Sequence, residues 1–184
     1  MQKKEIKKNL GAFAPRRLAV MALMIALSIV LGKYLAINVT VMIRISLENL
    51  PIILTAVILG PLSAGIVAMA ADILGCVLVG YEINPIVTFG AIIIGVLCGS
   101  IFKYFKLVKQ TKRLILSVLA SHFCGSVVIK TLGLAAFYLA SYDMGFGTLF
   151  FIRLFTYAVT STIEILIISF LLKNKTLKGI FERL

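Results

Sequence analysis

Between Glu48 and Lys103 the chain carries only two charged residues, Asp72 and Glu82, and long apolar runs continue on both sides of that window. A bilayer's hydrocarbon is about 30 Å thick, and a helix rising about 1.5 Å per residue crosses it in about 20 apolar residues. In lipid every backbone N–H and C=O must be satisfied within the protein, which leaves helices and closed barrels as spanning structures. The runs here are continuous rather than alternating, so they read as helices. With 184 residues, 61% of them hydrophobic and 14% charged, there is room for about six such helices and no water-soluble domain.

Proline and glycine divide the runs. RRLAVMALMIALSIVLGKY predicts a first span at about 16–34, Pro51 opens a short second one at 50–59, and Gly60-Pro61 breaks the pattern before a third at 62–79. Pro85 opens a fourth at 85–102, and two more follow at 114–140 and 148–172, making one integral-membrane domain over residues 1–184. The stretch between the first two spans differs. In LAINVTVMIRISLEN, Val39, Val41, Ile43, Ile45 and Leu47 alternate with Asn38, Thr40, Met42, Arg44, Ser46 and Glu48, the mark of an extended loop rather than a helix.

The net charge of +12 raises the question of nucleic acid, and the placement of the charge answers it. The basic residues sit in MQKKEIKK with Arg16 and Arg17, in KYFKLVKQTKR, and in KNKTLKGIFERL, with no aromatic residues arranged for base stacking outside the membrane. With six spans all three clusters fall on one side, the cytoplasmic one, facing anionic lipid; the other connections carry Glu48, Glu82 and Asp143. The expected fold is therefore an all-α membrane protein of six transmembrane helices, both termini cytoplasmic, with an extended extracellular loop between helices 1 and 2. The first apolar run continues past any small-residue cleavage point, so it is expected to be retained. Cys76, Cys98 and Cys124 are odd in number and lack metal-ligand spacing, so neither a disulfide nor a metal site is expected.

Small residues four apart let helix backbones approach closely in lipid. Ala64/Ala68 and Gly95/Gly99 fit packing within the bundle, whereas Ala22/Ala26, with Ala19 on much the same face, is open to an outside partner. Ionisable residues inside spans are costly and mark function by default: here they are Asp72, His122, Lys130, Arg153 and Glu164. His122, Ser126 and Lys130 recur every fourth residue on the fifth span; Arg153, Tyr157, Thr160 and Glu164 share a face of the sixth. Lys130, Arg153 and Tyr157 are expected in the outer half, with Arg44, Asn84 and Tyr81 completing a cationic wall and Phe89 or Tyr157 offering an aromatic face. That arrangement suits an anionic small molecule. The competing reading makes Asp72 and Glu164 structural partners of Lys130 or His122.

Catalysis finds no foothold: HExxH, GxSxG, GxxxxGK[ST] and carboxylate pairs at metal-ligand spacing are all missing, so no enzyme activity is expected. RISLENLPIILTAVILGPLSAGIVAMAADILG followed by GYEINPIVTFGAIIIG resembles the substrate-binding S components of energy-coupling factor (ECF) vitamin transporters, and SHFCGSVVIKTLGL is similar to their folate-specific branch. The resemblance covers about residues 15–170. It implies vitamin capture at the bacterial cell membrane, with no cofactor, and docking on a coupling subunit and two ATPases that supply ATP hydrolysis. It also makes the loop from Leu35 to Asn49 a cover for the site and Ala22 with Ala26 the docking face. Folate suits the pocket: its two tail carboxylates match Arg44, Lys130 and Arg153, and its pterin matches Asn84 or His122 and the face of Tyr157 or Phe89. Glu48 is expected to pair with Arg44 or to steady the loop. The alternatives are pantothenate, riboflavin or thiamine as ligand, a membrane-embedded lipid enzyme, and a purely structural membrane protein.

Overall fold

The computed structural model describes residues 15–38, 44–105, 108–142 and 146–174. The middle of the first loop (39–43), the N-terminal cluster at 1–8, residues 106–107 of the basic connection, Asp143 and the C-terminal residues from 175 lie outside them. The described chain is helical apart from one two-residue strand pair. In chain order it comprises α1 (Pro15–Ile29), β1 (Ile37–Asn38), β2 (Arg44–Ile45), α2 (Asn49–Ile58), α3 (Pro61–Val79), α4 (Pro85–Tyr104), α5 (Gln110–Ser121), α6 (Lys130–Tyr142) and α7 (Phe146–Lys173). Two stretches are wound as π-helix. Val30–Tyr34 extends α1, and His122–Ile129 joins α5 to α6 into one continuous rod.

Among the described residues, five helical stretches are long and apolar enough to cross a membrane: Pro15–Tyr34, Pro61–Val79, Pro85–Tyr104, Gln110–Ala136 and Phe146–Lys173. Helix α2 is the exception. Its 10 residues span about 15 Å, half the hydrocarbon thickness. The reason lies in Gly60-Pro61: Gly60 takes φ 93°, a left-handed conformation that side chains resist, and Pro61 starts α3 at the position where its missing N–H costs nothing. The break turns the chain before α2 can lengthen. Its residues from Pro51 to Ala56 are buried, so α2 serves as an internal plug with a hydrophobic surface nearly all round.

The loop before α2 folds back on itself. Ile37 pairs with Ile45 and Asn38 with Arg44 in an antiparallel ladder, so the described ends of the segment expected to be extended pair as the two arms of a hairpin. The core sits where α2, α3, α4, α5 and α7 meet, around Ile53, Val67, Ile94, Leu114, Val118 and Ile168. Helices α3 and α4 pack at backbone contact. A Cβ on Gly95 would lie 2.7 Å from the Ala64 carbonyl oxygen, and one on Gly99 would lie 2.6 Å from Pro61 Cα. The small residues read from the sequence are thus the seam of this pair.

Candidate ligand-binding cleft

Both π-helical stretches deliver a cation to the same cleft. In a π turn the N–H bonds back five residues instead of four, which adds a residue to the turn and swings side chains off the regular helical face. The Leu35 N–H reaches the Val30 carbonyl at 3.0 Å, closing the wide turn that carries Lys33. The Lys130 N–H likewise reaches the Gly125 carbonyl, so Lys130 leaves the second stretch at the point where it reverts to α-helix. This stretch needs glycine on both sides. A Cβ on Gly125 would collide with Ile94, and one on Gly90 would lie 2.8 Å from both the Gly125 oxygen and Lys130 Cγ.

Lys33, Glu48, Asp72 and Lys130 line the cleft together, over a floor of Ile29, Ile52 and the small residues Ala68, Ala71 and Ala91. As it stands the cleft is nearly closed, with a cavity volume of about 10 Å3, room for about one water molecule. Lys130 Nζ donates to Glu48 Oε1 at 2.9 Å, with the lysine side chain 5% and the glutamate side chain 24% exposed. Glu48 is held from behind: Ser28 Oγ donates to its carbonyl at 2.7 Å, and Gly32 leaves the space against its Cβ that a side chain would fill. Asp72 Oδ2 accepts from Thr88 Oγ1 at 2.6 Å. Lys33 Nζ lies 3.6 Å from Cys76 Sγ and 5.7 Å from the centre of the Tyr81 ring.

A second polar network adjoins the first, between the long π-helical stretch and α7. His122 Nε2 and Glu164 Oε2 are 2.6 Å apart, and His122 Nδ1 is 3.2 Å from Ser126 Oγ. The rings of His122 and Tyr157 stack at 5.6 Å between centres. Arg153 Nη2 donates to the Ser126 carbonyl at 3.3 Å and to Tyr157 Oη at 3.1 Å. Arg153, Thr160 and Glu164 are buried on one face of α7, as the spacing implies. Several buried polar atoms here and nearby have no hydrogen-bond partner, among them Arg153 Nε, Glu164 Oε1 and Thr131 Oγ1. Tyr157 and Asp72 both lie within electrostatic reach of Lys130, so the two networks meet around that lysine.

The structure therefore brings together Lys130, Arg153, Tyr157 and His122, while Asn84 and Phe89 make other contacts and Arg44 is described by its backbone alone. Asn84 caps α4: its Oδ1 accepts from the N–H groups of Ile86 at 3.0 Å and Val87 at 3.3 Å, and its Nδ2 donates to the Gly133 carbonyl at 3.0 Å. These bonds cap α4 and tie it to α6, a structural role for Asn84 that the sequence reading did not assign. Phe89 is 54% exposed, on the opposite side of α4 from the buried Thr88 and Ala91, and does not face the cleft. Arg44 is placed by its backbone in β2, and its side chain lies outside the described residues. The cationic wall is also not bare. Glu48 bonds to Lys130, and Glu164 takes His122 as the competing reading required. Lys33 and Thr88 were missed by sequence reasoning; the signal for Lys33 was a lone lysine closing an otherwise apolar span.

A cleft with buried charges, set among membrane-length helices, fits a membrane-embedded binder of small polar molecules. The comparisons give that class a family. The profile of the ECF transporter substrate-specific component matches residues 16–173, and the chain belongs to this family. A relative from Clostridium novyi (strain NT), described as folate transporter FolT, is 37% identical over 105 residues, covering 53% of this chain and 56% of the relative. The match thus spans little more than half of either protein. A crystal structure of FolT bound with folic acid superposes with a TM-score of 0.66 at 24% identity, covering 82% of this chain and 88% of the other, and so shares the fold.

Proposed function

We propose that this protein is the folate-binding subunit of an ECF-type transporter, capturing folate from outside a bacterial cell. The observation that carries the proposal is the pair of buried cations, Lys130 and Arg153, beside the Tyr157 and His122 rings. A buried ammonium or guanidinium is tolerable only with an anion or strong acceptors close by, and a ligand carboxylate supplies both charge and acceptors. Arg153 Nε and Thr131 Oγ1 still have bonds to make. The aromatic rings offer flat faces to a bicyclic head. The names of the Clostridium novyi relative and of the folic-acid-bound structure support folate as the vitamin.

In this reading the chain is one membrane domain crossing six times, α2 with its flanking turns serving as the shortest crossing, and both termini are cytoplasmic. Folate enters beside the hairpin, which covers it. A shared module of a coupling subunit and two ATPases then drives release inward, since this chain carries no nucleotide-binding motif. The exposed Ala22 and Ala26 on α1 present a low face on which the coupling subunit can pack closely. Mass spectrometry of small molecules carried through purification tests the ligand. A folate is the expected result; a different vitamin in its place would overturn it.

A further inference from the structure

We infer that Asp72 and Lys33 read the flat head of the ligand: Asp72 accepts two N–H donors from a 2-amino-4-oxopyrimidine edge, and Lys33 donates to the 4-oxo oxygen beside them. The inference deepens the folate reading, on which it rests, by assigning the end of the ligand that reaches α3. Both residues line the cleft, and they carry opposite charges. Even so, among the described residues neither forms an ion pair, with the other or with a third group. Asp72 accepts one short bond, from the Thr88 hydroxyl at 2.6 Å to Oδ2, and no described residue bonds its Oδ1. Lys33 Nζ has the Cys76 thiol at 3.6 Å, a weak acceptor, and the centre of the Tyr81 ring at 5.7 Å. Ionised side chains within a span are costly unless partnered. A carboxylate and an ammonium left this open mark a place for a ligand that brings both donors and an acceptor.

Features of three helices set the two groups side by side. Asp72 projects from the middle of α3, and Cys76 follows one turn later on the same face. Gly75 makes room for Lys33: a Cβ there would lie 2.9 Å from Lys33 Cε, so the lysine stem crosses α3 at this glycine and brings its ammonium to Cys76. Thr88 is 7% exposed in the first turn of α4 and pins Asp72 across the seam where α3 and α4 meet at backbone contact. The cavity has room for about one water, so a ring must widen it to enter. Asp72 and Thr88 sit on the tightly seamed pair and keep their places as other walls give way, so the acceptor is already set when the ligand arrives. A carboxylate meets two parallel N–H groups in the same fork that it forms with a guanidinium. A pterin has that fork in its 2-amino group and adjacent ring N–H, with the 4-oxo oxygen next in line as an acceptor. The tail carboxylates are then left to the cations of the α5–α6 rod and α7.

The test titrates the purified full-length protein with folate and with its 2-oxo analogue, in which an oxygen replaces the 2-amino group. A site that demands a donor rejects a ligand that presents an acceptor there, so wild type is expected to bind folate at least about tenfold more tightly. Asp72→Asn keeps one acceptor and turns the other into a donor. It is expected to weaken folate about 10- to 150-fold, and to leave the 2-oxo analogue within about threefold or tighten it. Thr88→Val, which frees the carboxylate to swing, should narrow the preference for folate by less, and it carries the test if Asp72→Asn does not fold. Lys33→Met should weaken both ligands alike, about tenfold, because both retain the 4-oxo oxygen. Equal loss of both ligands in Asp72→Asn is what a merely structural aspartate would give. That result, or unchanged folate affinity in Asp72→Asn or Lys33→Met, would overturn the inference and leave the folate reading standing. Wild type that binds no folate removes the folate reading, and titration with pterin alone then decides. Pterin binding that Asp72→Asn abolishes would support the inference, and any other result would end it.

Discussion

Replacing Lys130 with methionine removes one ammonium while keeping an unbranched chain of similar length in a site that is 4% exposed. The geometry allows the two consequences to be sized separately. A hydrogen bond to a charged group in a protein is worth about 1.5–3 kcal/mol, so losing the ligand's bond to Lys130 should weaken folate binding about 10- to 150-fold. Unfolding free energy should fall too, because Glu48 loses the partner now at 2.9 Å. Removing one member of a fully buried pair costs about 3–5 kcal/mol, but the Glu48 side chain is 24% exposed and can turn to water, which lowers the expected loss to about 1–2 kcal/mol. Calorimetric titration with folate measures the first quantity, and denaturation of the ligand-free protein in detergent measures the second. Folate affinity within about threefold of wild type, in a variant that folds, would refute Lys130 as the anchor. If Arg153→Ala were equally silent, the pocket itself would have to be abandoned.

Other substitutions probe how the site is built. Gly90→Ala places a Cβ 2.8 Å from the Gly125 oxygen, a backbone atom that cannot step aside, and should cost about 1–3 kcal/mol with weaker folate binding, whereas Gly147→Ala meets nothing within 4 Å and should be neutral in thermal unfolding. His122→Phe strands the fully buried Glu164 carboxylate and should destabilise by about 3–5 kcal/mol, most of which the His122→Phe/Glu164→Leu double variant should restore; equal losses in both would show that the pair is not the cause. Ala22→Trp on the exposed face of α1 should abolish folate uptake by cells and leave binding to the purified protein unchanged; loss of binding would contradict a docking role for that face.

Much of the architecture was legible because membrane burial writes itself locally. Apolar length located α1, α3, α4, the α5–α6 rod and α7, and Pro61 and Pro85 marked helix starts, since a proline's missing N–H is harmless there. Asn84 was legible in principle as well: an asparagine directly before a helix-opening proline is a cap signature, and its Nδ2 adds a tie to α6. Phe89 was misplaced because α4 is apolar on every side, so hydropathy carries no phase to tell the inward Thr88 from its outward neighbour. The π-helical turns left no compositional mark, since HFCGSVVI would suit a regular helix equally well. The meeting of Glu48 with Lys130 spans 82 residues and depends on how the hairpin and the α5–α6 rod pack, which no local pattern encodes.

The account turns on whether this cleft takes up folate, and direct titration of folate into the purified wild-type protein decides it. Saturable binding at one site per chain, abolished or strongly weakened by Lys130→Met, is the predicted result. Absence of folate binding alongside saturable binding of an uncharged vitamin such as riboflavin would contradict it.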